Sequence, residues 1–285
     1  MDPKVNNTNI IFELESYTYF DLLGTDSDKL LQGQISIDVS KIPADSAPLA
    51  ALCNPKGRVV SLFHIHRITE GFRFILPKEI AESTVKHLRK YAVFFKVDIN
   101  LTNDLSSILV ISKNSAEKFK QPTIDIPAIN FAVLYKEEST SLASYAGSTQ
   151  TEVIDSDSLW YWQLASNRIA WLTANSGEKF LPHNLNLPHL SAVDFKKGCF
   201  TGQEVIARMQ YKGKLKQHLQ LLKTDQIIDL APLEKLHQDD RKVAEVICCI
   251  SQQGIGSLVL ALVKDSADEN NTFLNSNLGY ELLLH

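Results

Sequence analysis

Lys196-Lys197-Gly198-Cys199-Phe200-Thr201-Gly202-Gln203-Glu204 places one thiol between two glycines, behind two lysines and just ahead of a helix start. Thr201 and Glu204 have the S/T-x-x-E spacing of a capping box. Val205, Ile206 and Met209 follow at helical spacing. Cys199 is therefore expected at the positive end of a helix dipole and beside cationic side chains, and both favour a thiolate over a thiol. Gly198 and Gly202 allow a tight turn or the close approach of a ligand or partner. Two readings stand on the residues alone: a placed, reactive cysteine, or a small buried residue at a strand-to-helix turn.

From Lys197 to Arg208 the chain resembles, at every fixed position, the K-G-C-[YF]-T-G-Q-E-x-x-A-R signature of the YgfZ family. These are folate-binding proteins of the aminomethyltransferase-like (GcvT-like) superfamily. Other stretches agree. Gly24-Thr25-Asp26 through Gln32-Gly33-Gln34 is similar to the family's G-x-D-x-x-x-x-x-Q-G-Q segment, and Asn54-Pro55-Lys56-Gly57-Arg58 to its D-x-K-G-[RK] turn. Lys90-Tyr91-Ala92-Val93-Phe94 resembles its K-Y-A-V-F stretch. Asn175-Ser176-Gly177, Phe180-Leu181-Pro182 and Asn186-Leu187 resemble the lead-in to the cysteine motif. The likeness runs from about Tyr17 to Leu222; the remainder fits only loosely.

The resemblance implies an α+β fold of three small domains around a central cavity. A folate-binding domain would be split between residues 1–48 and 121–212, with a ferredoxin-like insertion at 49–120 and a small β-barrel at 213–285. It implies tetrahydrofolate or another reduced folate as ligand. It also implies a supporting role for iron–sulfur enzymes, including those that thiolate tRNA, together with tRNA modification more broadly and control of replication initiation. In that frame Cys199 is the reactive thiol and Lys197 stabilises it or binds an anion. Thr201 and Glu204 cap the helix, and Tyr17, Trp160, Lys196 and Arg208 are the expected folate contacts. The second aromatic contact falls, by offset from Asn175-Ser176-Gly177, on Leu159, or on Trp160 after a one-residue shift, with Trp162 beside them.

Composition is that of an ordinary globular chain, and no run of eighteen apolar residues marks a membrane helix. The polar start, Met1 to Asn9, lacks the apolar core of a secretory signal. Four irregularly spaced cysteines form neither a disulfide framework nor an iron–sulfur pattern, so a reducing cytoplasm and no resident metal are expected. The chain is expected to be a monomer that meets folate and iron–sulfur client or assembly proteins, with direct tRNA contact left open. A net charge of −4 argues against a broad nucleic-acid surface. Residues 196–216 nevertheless carry Lys196, Lys197, Arg208, Lys212, Lys214 and Lys216 against the single acid Glu204. That is a solvated basic face, or a dock for a polyglutamyl tail, a tRNA backbone or an acidic partner.

Pattern along the chain predicts a strand over residues 10–23 and a helix capped by Asp26. Strands follow at 59–66 and 72–76, then a helix from Glu79 to Lys90 with Ile80, Val85 and Leu88 buried. Further strands are expected over Val93–Leu101 and Ile108–Ser112, and a short helix over Ala116–Phe119. This β-β-α-β-β-α order suggests a ferredoxin-like sandwich. After Leu215 short strands and a hairpin turn at Gln252–Gly256 suggest a barrel.

Other constellations carry less. Trp160, Trp162 and Trp171 are expected to be core first and a stacking platform for a flat heterocycle second. His64 and His66 share a strand face without a carboxylate or thiol at ligand spacing, so a surface or interface position is expected. His183 and His189 could neighbour Cys199. Cys248 and Cys249, adjacent on a strand, point to opposite faces. Glycine-cleavage aminomethyltransferases carry two acids after the glycine turn, where this chain has Ser61 and Leu62. Neither holds a carboxylate against a substrate amine, which disfavours aminomethyl transfer. A folate-dependent one-carbon transferase remains the alternative, with Ser61 its only support there, and an inert scaffold is the third reading.

Overall fold

The computed structural model describes residues 11–101, 108–112, 123–129, 131–135, 156–268, 272–274 and 281–284. The helix expected at Ala116–Phe119 lies outside them. Three sheets account for the strands. The first holds β3 (Leu49–Cys53), β4 (Val59–Ile68), β5 (Gly71–Pro77), β2 (Tyr17–Leu23) and β6 (Asp98–Leu101), in that order. The second is β1 (Ile11–Leu14), β7 (Ile108–Ser112), β9 (Phe131–Tyr135) and β8 (Ile124–Asp125). The third closes into a barrel, in the order β10 (Gln217–Thr224), β13 (Gly256–Lys264), β12 (Arg241–Gln252), β11 (Lys235–Gln238), β14 (Phe273–Leu274), β15 (Glu281–Leu284). The hairpin turn expected before Gly256 joins β12 to β13, with Gly254 at φ 75° and Gly256 at φ 119°.

Two-residue alternation in the first sheet decides what each side chain can do. On one face Phe20, Leu22, Phe63, Ile65, Phe72 and Phe74 pack beneath α1 (Ser27–Gln34) and α2 (Lys78–Ala92). The expected stripe Ile80, Val85 and Leu88 is buried there. On the other face Tyr17, Tyr19, Ala51, Leu62 and Ile75 join a larger apolar cluster shared with the other two sheets. The barrel adds Leu219, Leu221, Ile247, Cys248, Leu258, Leu260 and Leu262 to that cluster. At its centre lies α3 (Ser156–Ser166), whose Leu159, Trp160, Trp162, Leu164 and Ala165 are all buried. These buried positions are spread around the helix, between the partly buried Asp157, Ser158, Tyr161, Gln163 and Ser166. The Trp160 and Trp162 rings are therefore core.

The single strand expected over 10–23 is two strands in different sheets. It breaks at Glu15 and Ser16, where the Ser16 N–H donates to Asp157 Oδ2 at 2.9 Å and its hydroxyl donates to Tyr161. Both partners lie more than 140 positions away, so no local pattern announces the break. The expected 49–120 unit accordingly shares its sheet with Tyr17–Leu23, while Ile108–Ser112 pairs with β1 and β9 instead. The strand expected from Val93 starts only at Asp98. Phe94 and Phe95 donate their N–H groups back to Tyr91 and Ala92, which ends α2 in a turn despite β-prone side chains.

His64 and His66, expected at the surface or at an interface, are buried. His64 Nδ1 meets the Ala47 carbonyl, and His66 Nε2 meets the Tyr135 hydroxyl. Burial pushes both pKa values down to about 4, helped at His66 by Arg73. Arg73 in turn pairs through two nitrogens with Asp21, at 2.7 Å each, and lies over the Tyr19 and Tyr135 rings.

Candidate functional site

The segment ending in the cysteine motif is bolted to the chain around α1. The Asp194 N–H donates to the Ser36 carbonyl and Ser36 Oγ donates to the Ala192 carbonyl. Lys197 Nζ donates to the carbonyls of Ile35 and Ile37, both at 2.7 Å, and sits 5.2 Å from the Phe200 ring centre. The Thr201 N–H donates to the Gly33 carbonyl at 3.0 Å, and its hydroxyl reaches Gln34 Oε1 at 3.2 Å. Phe200 is buried, whereas Gly198 and Cys199 between these anchors are exposed.

These anchors revise the roles expected of Lys197, Thr201 and Glu204. Lys197 is only 7% exposed and its ammonium is spent on two carbonyls, so it locks the turn and is not a free cation for an anion or a thiolate. Burial pushes its pKa down to about 8, against the pull of Asp38 and Asp194. The expected capping box does not form. The helix α4 (Gln203–Lys212) takes Gly202 as its N-cap, with no side-chain cap bond, because Thr201 is committed to Gly33 and Gln34. His183 meets Gln210 on α4 and the Phe195 ring, and His189 is exposed.

A second turn supports the first. Asn54 Oδ1 accepts from the N–H groups of Lys56 and Arg58, at 2.9 and 3.0 Å. This Asx turn presses Gly57, at φ 70°, against Gly202, at φ 84°. A Cβ on Gly202 would stand 2.5 Å from the Asn54 carbonyl oxygen and 2.9 Å from the Gly57 Cα. The far end of α1 is held in the same way. The Lys96 N–H donates to Asp26 Oδ2 at 2.9 Å, and Gly24, at φ 127°, leaves no room for a side chain against Lys96. The eight residues of α1 rise about 12 Å. They form a strut between the Cys199 turn and the turn that follows α2.

Three of the four thiols are unsuited to solution chemistry. Cys53 and Cys248 are buried in the main core, where desolvation pushes the Cys53 pKa up to about 12 and that of Cys248 higher still. Cys249, half-buried against the barrel interior, is pushed up to about 11 by burial. Cys199 is the exposed one. The basic side chains Lys196, Arg208, Lys212, Lys214 and Lys216 are all exposed, together with Tyr211.

The aromatic wall lies elsewhere. Tyr17, Leu62, His64, Ile75, Leu164, Ile169, Trp171 and Leu172 line a slot on the inner face of the first sheet. Trp160 packs behind Tyr17, edge to face at 5.5 Å, and Trp171 supplies the indole of the wall, backed by Tyr161 at 4.6 Å. The indole in this wall is Trp171, brought round by the fold-back at Ile169, whereas Leu159, Trp160 and Trp162, the positions reached by sequence offset, do not line the slot. Leu62 faces the slot, whereas Ser61 points to the opposite face, where its hydroxyl accepts from Thr84 at 2.8 Å. Ser61 therefore cannot serve chemistry in the slot. The open space is about 10 Å³, room for one water and far below the ~300 Å³ of a usual small-molecule pocket. The wall suits a flat ring in its chemistry, but a pterin does not fit this conformation.

Among the described residues no group of three or more His, Cys, Asp or Glu could hold a metal ion, and no helix is long and apolar enough to cross a membrane.

No family model matches the chain. Curated relatives do. The chain is 31% identical to the tRNA-modifying protein YgfZ of Escherichia fergusonii, over 74% of this chain and 71% of that one. It is 27% identical to the protein of the same name from Colwellia psychrerythraea, over 90% and 86%. The chain belongs to the YgfZ family. Among solved structures it is similar to the glycine cleavage system aminomethyltransferase T of Bartonella henselae, with a TM-score of 0.76 at 14% identity. That likeness covers 97% of this chain and 84% of the other, and it gives the mixed α/β, GcvT-like fold. In this YgfZ-family chain the motifs around Gly24, Gly33, Asn54 and Cys199 form one connected scaffold, and its exposed product is a thiol.

Proposed function

We propose that this chain is a folate-binding accessory protein of tRNA modification that presents Cys199 as its working thiol. One observation carries the reading: Cys199 is exposed between anchors that hold Lys197, Phe200 and Thr201 in place, while Cys53 and Cys248 are buried in the main core and Cys249 is half-buried against the barrel interior. A thiol held this way can ligate an iron of a client. It can also exchange with a partner's disulfide, its sulfur bonding one partner sulfur while the other departs as thiolate. Support of iron–sulfur enzymes, including those that thiolate tRNA, is the role this chemistry suits. The names of the relatives, tRNA-modifying proteins, support the tRNA-modification part of this reading.

Folate belongs to the reading through the motif resemblance and the slot wall of Tyr17, His64 and Trp171. Binding would require the Trp171–Leu172 segment to swing away from Tyr17, and no chemical step is assigned to the ligand. With Leu62 in the wall and Ser61 turned away, no carboxylate faces the slot at that position, so aminomethyl transfer is disfavoured. Titration with tetrahydrofolate should quench the tryptophan fluorescence to saturation, and Trp171→Leu should remove at least half of the quenching. A flat titration of the intact protein would remove folate from the function while leaving the thiol in it.

A further inference from the structure

The K-Y-A-V-F stretch has no part in the thiol site or the slot. Two large apolar side chains stand in solvent there: Val93 is 75% and Phe94 82% exposed. Lone exposed apolar residues need no explanation, but an adjacent pair with this exposure on a helix-ending turn is unusual. The turn is rigid. Phe94 and Phe95 bond back to α2, and Lys96 is clamped to Asp26 at the head of the α1 strut.

Charge says what the tip meets. Lys86, Arg89, Lys90 and Lys96 gather at this tip, within a protein of net charge −4, and the exposed acids Glu82 and Asp98 flank them. Lys86, Arg89, Lys90 and Val93 follow i, i+3, i+4, i+7 spacing and so share one face of α2 as it runs into the turn, and all four are exposed, Arg89 with one guanidinium N–H donated to the Ile99 carbonyl at 3.1 Å. An apolar protein partner would explain Phe94 without the four cations. A phosphate backbone would explain the cations without Phe94. An unpaired nucleotide explains both, because its base stacks on an aromatic face while its phosphate draws the lysines.

We propose that Phe94, with Lys86, Arg89, Lys90 and Lys96, is a single-stranded RNA contact that stacks one unpaired base of a tRNA. The inference takes the identity of the RNA from the tRNA-modification reading; it is independent of Cys199 and of folate. Through α1 the contact is tied mechanically to the Cys199 turn.

The test is fluorescence anisotropy of the full chain with an unmodified, fluorescein-labelled tRNA transcript over a series of salt concentrations. Phe94→Ala and Phe94→Leu should each weaken binding ~10-fold with an unchanged salt slope, and Phe94→Trp should bind at least as well as the native protein. Lys90→Ala with Lys96→Ala should lower the salt slope by about 1.4. Phe94 is too exposed for these changes to unfold the chain, and thermal melting checks that. Native-level binding by Phe94→Ala overturns the site, and retention by Phe94→Leu shows an apolar, protein-type contact and overturns base stacking. Absence of tRNA binding by the native chain also overturns it. That result would leave the thiol reading standing, since restoration of tRNA modification by the native chain and its loss on Cys199→Ala are scored separately.

Discussion

Cys199→Ala is expected to fold like the native protein and to lose all ability to restore tRNA modification in a bacterial strain lacking its YgfZ relative. The side chain is exposed and the turn around it is held by Lys197, Phe200 and Thr201, none of which needs the sulfur. Truncation there leaves no cavity, so stability should change by no more than about 0.5 kcal/mol. The measurement is the modified-nucleoside content of tRNA by mass spectrometry, beside thermal melting of the purified variant. Full restoration by a normally folded Cys199→Ala protein would make the cysteine inert and leave a scaffold.

Gly202→Ala should have the opposite profile, with the thiol retained and the turn lost. A left-handed φ of 84° is unfavourable for alanine by about 1–2 kcal/mol. The added Cβ also meets the Asn54 carbonyl oxygen at 2.5 Å and the Gly57 Cα at 2.9 Å, both backbone atoms that cannot rotate away. Overpacking of this kind adds about 1–3 kcal/mol. A total of about 2–5 kcal/mol should appear as a lowered urea midpoint, with loss of function although Cys199 is present. Gly198→Ala is the internal comparison: a Cβ there meets nothing within 4 Å, so that variant should melt close to the native protein. Equal stability of the two alanine variants would mean that the paired glycine turns are not what holds the motif.

How far the sequence could be followed depended on the range of the forces involved. The stripe Ile80, Val85, Leu88, the hairpin before Gly256 and the opposed faces of Cys248 and Cys249 are consequences of local periodicity, and they were legible. Gly202 announced a tight turn or close approach and Gly57 a turn, though not that the two approach each other. What stayed hidden was set by long-range partners. Thr201 has the sequence of a helix cap but bonds to Gly33 and Gln34. Lys197 has the sequence of a free cation but is buried against Ile35 and Ile37. The break at Ser16 depends on Asp157 and Tyr161, and the burial of His64 and His66 depends on Ala47 and Tyr135. Trp171 enters the slot wall because the chain folds back after α3, a tertiary event that an offset count along one sequence cannot register.

Alkylation of the native protein with iodoacetamide, followed residue by residue by mass spectrometry, tests the presentation of Cys199 most directly. Cys199 should be modified first, with Cys249 far behind and Cys53 and Cys248 protected until the chain is unfolded. A Cys199 that stays unmodified as long as Cys53 and Cys248 would contradict the presented thiol on which the proposed function rests.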